Sequence, residues 1–132
     1  MTDYMVAVVI AVSDLDRSTD FYTRVLGMRQ LTTLTLPHMD EVILSFGRRG
    51  AAVVLMKYTD GSDPATTDLP VKLVLYVDDP VALADRIRAE GLSIDREPAP
   101  VPDLGGAVVG FARDPDGYVL ELLESPADPP PA

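Results

Sequence analysis

Short runs of alternating apolar side chains dominate this sequence, and helical spacing replaces them in two places. Met5 to Val12 is a β-branched run. Val6, Val8, Ile10 and Val12 form its bulky face, and Ala7, Val9 and Ala11 a smaller one. A strand apolar on both faces is expected to be buried on both. Ser13-Asp14 then supplies an N-cap, Leu15, Ser18, Tyr22, Val25 and Leu26 follow at helical spacing, and Gly27 closes the helix. Three strand-like pieces come next: Arg29 to Leu36, Glu41 to Phe46 and Ala51 to Lys57. Pro37-His38-Met39-Asp40 and Gly47-Arg48-Arg49-Gly50 separate them as hairpin connections. Thr59 to Pro70 holds turn residues without periodicity and reads as a linker.

The same order then recurs. Val71, Leu73, Leu75 and Val77 make the aliphatic face of a strand. Asp78-Asp79-Pro80 caps a helix with proline in its first turn, and Val81, Leu83, Ala84 and Ile87 form its apolar stripe up to Gly91. Strands follow at Leu92 to Glu97, Gly106 to Arg113 and Tyr118 to Leu123. Val12 corresponds to Val77 and Gly27 to Gly91, so the chain reads as βαβββ twice over. The expected fold is α+β: two βαβββ modules forming a curved mixed sheet around a pocket, with the helices on its outer face. Residues 1–124 are taken as one domain, with module one at 4–58, a linker at 59–70 and module two at 71–124. The Pro-rich tail, residues 125–132, is expected to be disordered.

Phe111 to Leu123 carries the sharpest local signal. Asp114-Pro115-Asp116-Gly117 is strong turn chemistry between two strands. Beyond it Tyr118, Leu120 and Leu122 point one way, and Val119, Glu121 and Leu123 the other. Glu121 is a lone carboxylate in an apolar strand, so it must be paired, metal-bound or wet.

Composition narrows the function classes. The chain has 21 acidic and 11 basic side chains, a net charge of −10, and no basic cluster to offset it, so nucleic acid is not an expected partner. Without cysteine, disulfides, thiolate metal sites and thiol nucleophiles are excluded. No apolar run reaches the roughly 18 residues of a membrane span, and no basic-then-apolar leader is present. No membrane association and a cytoplasmic location are therefore expected.

VSDLDRSTDFYTRVLGM at Val12 to Met28 and FARDPDGYVLELLE at Phe111 to Glu124, in a paired βαβββ layout, resemble the vicinal oxygen chelate superfamily. That group includes glyoxalase I, bleomycin-resistance proteins and extradiol dioxygenases. In its metal-dependent members the resemblance implies one ligand from each of four strands. Carried over position by position, these fall on Ala7, on Leu55 by an ungapped alignment, on Lys72 and on Glu121. Alanine and leucine cannot coordinate a cation, and an ammonium has no lone pair. No metal or other cofactor is therefore expected, with Glu121 the one surviving family ligand.

Strand alternation places the pocket lining on Ala7, Val9 and Ala11, on Val53, Leu55 and Lys57, on Lys72, Val74 and Tyr76, and on Val119, Glu121 and Leu123. This is a mostly apolar surface with a Lys72–Glu121 pair near its centre. The pair is expected either to orient a ligand and move protons, or only to satisfy two charges. His38, the single histidine, lies in a hairpin loop and is a weak candidate at the pocket mouth. Arg113 reads as solvated, with pairing to a nearby acid as the alternative, and the Arg48-Arg49 turn reads as solvated. Arg17 with Asp20 reads as a local helix pair.

The expected function is a homodimeric member of this group, without metal catalysis, that binds a small, largely apolar molecule as a binder or a metal-independent enzyme. One alternative is a metal-dependent glyoxalase-type lyase or isomerase, or a dioxygenase, using Glu121 with replacement ligands such as His38 or Glu41. Another is a metal-free enzyme with Glu121 as general base.

Overall fold

The computed structural model describes residues 2–47 and 50–126. Arg48, Arg49 and residues 127–132, on which two of the expectations above fall, lie outside the described residues. The chain divides into two compact units between Thr66 and Thr67.

In module one, β1 (Ala7–Ala11) is followed by α1 (Leu15–Asp20), a π-helical turn (Phe21–Val25), β2 (Arg29–Thr35), β3 (Met39–Ser45) and β4 (Ala52–Tyr58). The sheet order is β1-β4-β3-β2, with β1 parallel to β4 and the other pairs antiparallel. Asp14 caps α1 by accepting from the Arg17 amide at 3.0 Å. The Thr23 hydroxyl donates to the Thr19 carbonyl at 2.7 Å where the helix widens. Phe21 and Tyr22 are both buried there, their rings edge to face with centroids 5.4 Å apart.

Module two repeats this plan. It comprises β5 (Lys72–Val77), α2 (Pro80–Ala89), β6 (Ile94–Pro100), a 3₁₀ turn (Pro102–Leu104), β7 (Val108–Arg113) and β8 (Val119–Glu124). The order is β5-β8-β7-β6, with β5 parallel to β8. Asp79 caps α2 through the Ala82 amide at 3.0 Å, with Pro80 at the helix start. The architecture is α+β, with two mixed four-stranded sheets and a helix crossing one face of each.

Three readings need correction. β1 is not buried on both faces: Val9 is half exposed, because β1 is an edge strand and its unit has a single helix. Val81 does not join the α2 stripe but is exposed; Pro80, Leu83, Ala84 and Ile87 fill that face. β6 starts later than expected and runs through Pro98 to Pro100, which an edge strand tolerates because one row of its backbone groups needs no partner. Pro98 lies so close to β7 that a Cβ on Gly110 would sit 2.7 Å from its Cγ, which is why that position is glycine.

Candidate functional site

The open face of module two is set by one hairpin. In the turn between β7 and β8, the Asp114 carboxylate is buried and accepts from the Asp116 and Tyr118 amides, both at 2.9 Å. Gly117 takes φ +94°, which a residue with a Cβ rarely adopts. Arg113 takes the alternative reading and pairs with an acid rather than being solvated. It donates to Asp95 at 2.7 Å and to the Gly117 carbonyl at 2.9 Å, and so holds the turn against β6. The turn fixes the register: Arg113 lies beside Val119, Phe111 beside Glu121 and Val109 beside Leu123. On the other side of β8, Lys72 lies beside Val119, Val74 beside Glu121 and Tyr76 beside Leu123. Leu120 and Leu122 point the opposite way and are fully buried.

Lys72 and Glu121 meet on this open face. Lys72 Nζ donates to Glu121 Oε1 at 2.5 Å. The side chains are 53% and 12% exposed, so the carboxylate is sunk and the ammonium stands half in solvent. The ammonium also sits 5.6 Å from the Phe111 ring centroid, within cation–π reach. Phe111 is a residue the sequence reading missed. Counting outward from the turn finds it, because the hairpin places it opposite Glu121. One row further along the strands, an open surface depression of about 620 Å³ lies over Tyr76 and Leu123. Leu104, Gly105, Gly106 and Glu124 line it as well. The loop that walls it lies outside the expected lining, because β6 runs on to Pro100 past its expected end at Glu97. Glu124 ties that loop to β8 by accepting from the Val108 amide at 3.0 Å.

In module one the expected lining is one residue out of phase on β4. Leu55 lies beside Ile10 and Val42 and is fully buried. Val53 shares that face and is buried too, and Lys57 lies beside Asp40 at its end. The opposite face carries Ala7 beside Ala52, Val9 beside Val54, and Ala11 beside Met56, and Val54 is buried there as well. The correction has a plain cause: a leucine in this strand gains most by packing under the helix. By register Val54 is the counterpart of Glu121, since Val9 and Val74 occupy the same place in their modules. His38 is exposed, and its carbonyl accepts from the Thr59 amide at 2.8 Å. Glu41 lies beside Met56 on the open face. Asp20 pairs with Arg24 at 2.8 Å. Among the described residues no three His, Asp or Glu side chains gather as a metal-binding group.

The model of the Glyoxalase/Bleomycin resistance protein/Dioxygenase superfamily matches residues 4–122. The chain belongs to this superfamily. Among curated relatives, a lactoylglutathione lyase of Haemophilus influenzae is 36% identical over 120 residues, covering 88% of each chain. A lactoylglutathione lyase of Arabidopsis thaliana is 35% identical over 130 residues, covering 94% of this chain and 45% of that protein. Among solved structures, glyoxalase I of Leishmania major superposes with a TM-score of 0.78 at 30% identity, over 93% of this chain and 87% of that one. Glyoxalase I of Zea mays gives a TM-score of 0.74 at 37% identity, over 94% of this chain and 45% of that one. The chain thus spans about half the length of its plant relatives and most of the others. Among the described residues no helix is long and apolar enough to cross a membrane.

Proposed function

We propose that this superfamily member binds a small, largely apolar molecule on the open face of module two and works without a resident divalent metal. The observation that carries the reading is the Lys72 ammonium bonded to Glu121. The four positions where the superfamily resemblance implies ligands are Ala7, Leu55, Lys72 and Glu121, and strand register puts Val54 in place of Leu55 as the counterpart of Glu121. Two have aliphatic side chains, and a third is a cation with no lone pair to give. A catalytic zinc takes three protein ligands and a water, so one carboxylate already held by an ammonium does not fit a metal. The surroundings are apolar: Val74, Val119, Leu123 and Phe111 flank the pair, and the depression over Tyr76 adjoins it. The same reading takes the protein as a cytoplasmic homodimer. Val9, exposed on edge strand β1, is apolar surface of the kind a second subunit covers.

Metal analysis of protein purified without chelator tests the reading. Substoichiometric nickel, zinc, iron and manganese are expected. About one equivalent of metal that disappears in Glu121→Gln would overturn it. The second reading, a metal-dependent lyase, is favoured by the 36% identity to lactoylglutathione lyases across most of both chains. Metal-stimulated turnover of lactoylglutathione would establish that reading in place of the first.

A further inference from the structure

The Lys72–Glu121 pair also specifies the polar group it would accept. Lys72 carries three N–H donors and uses one on Glu121 Oε1. The side chain is half exposed, and among the hydrogen bonds of the described residues Nζ has no second acceptor. Glu121 Oε1 accepts from Lys72, while Oε2 has no protein donor among the hydrogen bonds of the described residues. A ligand lying over this face strips water from both groups. It must then replace the water bonds of an ammonium and of a sunken carboxylate together, because an unmet charged donor or acceptor is costly. A purely anionic head serves Lys72 but lies against Glu121, in a protein of net charge −10. A cationic head serves Glu121 but meets Lys72. A group that accepts and donates side by side serves both.

We infer that the ligand's polar group is neutral and bifunctional, a carbonyl accepting from Lys72 beside an N–H or O–H donating to Glu121, as in a carboxamide on an apolar or aromatic body. The inference rests on the binding reading above and adds the ligand's chemical class. The flanking Phe111, Val74 and Leu123 side chains then meet the apolar body, and the neighbouring depression over Tyr76 gives it room to extend.

Three probes on one scaffold test it: naphthamide, naphthoate and the methyl ester of naphthoic acid. Binding is read by naphthyl fluorescence anisotropy on the full chain, with circular dichroism checking that each variant is folded. Naphthamide should bind about tenfold tighter than either the anion or the ester, which lacks a donor. Lys72→Met should cut amide binding about tenfold. Glu121→Gln should reverse the order of amide and anion, because Lys72 is then an unopposed cation. Naphthoate binding tightest to the unsubstituted protein overturns the inference while leaving the binding reading intact. So does equal binding of all three that neither substitution changes. If none of the three binds, the binding reading falls and the inference with it.

Discussion

The two modules share strand order, a parallel pairing of first and last strands, and a capped helix over one face, yet their open faces differ in chemistry. Leu55 and Leu122 hold the same place, beside Ile10 and Leu75, and both are fully buried. On the opposite face Ala7 matches Lys72 and Val54 matches Glu121. Module one therefore presents an uncharged, aliphatic row where module two presents an ion pair over an aromatic ring. Packing is common to both halves because each helix needs the same aliphatic partners. The opposite face is free of that demand, and there Lys72 and Glu121 stand in one half where Ala7 and Val54 stand in the other.

The largest effect tests the shared part. Leu55→Ala and Leu122→Ala should each lower stability by about 2–5 kcal/mol in urea unfolding, because each leaves a hole under a helix. A cost below about 1 kcal/mol for Leu55 would return it to the open face and undo the matched register.

The next test moves the polar part. Val54→Glu places an unpaired carboxylate at a buried position, and should destabilise the fold by about 2 kcal/mol or more. Adding Ala7→Lys rebuilds the diagonal pair of module two, and should recover about 0.5–3 kcal/mol in a double-mutant cycle. No recovery would mean that the two open faces are not equivalent in geometry.

The smallest effect separates the helix surfaces. In module one Asp20 lies on Arg24, whose guanidinium hydrogen bond holds the carboxyl below its ordinary value of 3.8. In module two Arg88 bonds Glu97 and Asp85, which raise its pKa further above the ordinary arginine value. A depressed carboxyl contributes stability above its unfolded value and loses it as pH falls through the folded value. Asp20→Asn should thus lower the urea midpoint slightly at pH 7 and leave it unchanged near pH 2. The Arg88 guanidinium itself titrates only in strong alkali, so its own raised pKa adds no pH dependence to stability in acid.

Much of the fold was legible because caps, turns and period-2 runs are local signals. Asp14, Gly27, Asp79 and the Asp114–Gly117 turn each marked an element end within a residue or two. The Lys72–Glu121 pairing was legible too, since two strands in register leave a lysine and a glutamate on one face with little choice. Leu55 was misplaced because Val53 to Met56 is apolar at every position, so alternation cannot give the phase. Phe111 and the loop at Leu104 to Gly106 were missed because their partners come from other strands. Arg113 looked solvated because Asp95, its partner, lies 18 residues away.

The order of residues by itself determined the repeat, the caps, the hairpin turn and the presence of one carboxylate in an apolar strand, since each depends on neighbours along the chain. Tertiary structure decided which face of β4 is buried, what lies beneath the ammonium, and where the depression lies. Those depend on how strands far apart in sequence are brought side by side, and a uniformly apolar stretch does not encode that in its own pattern.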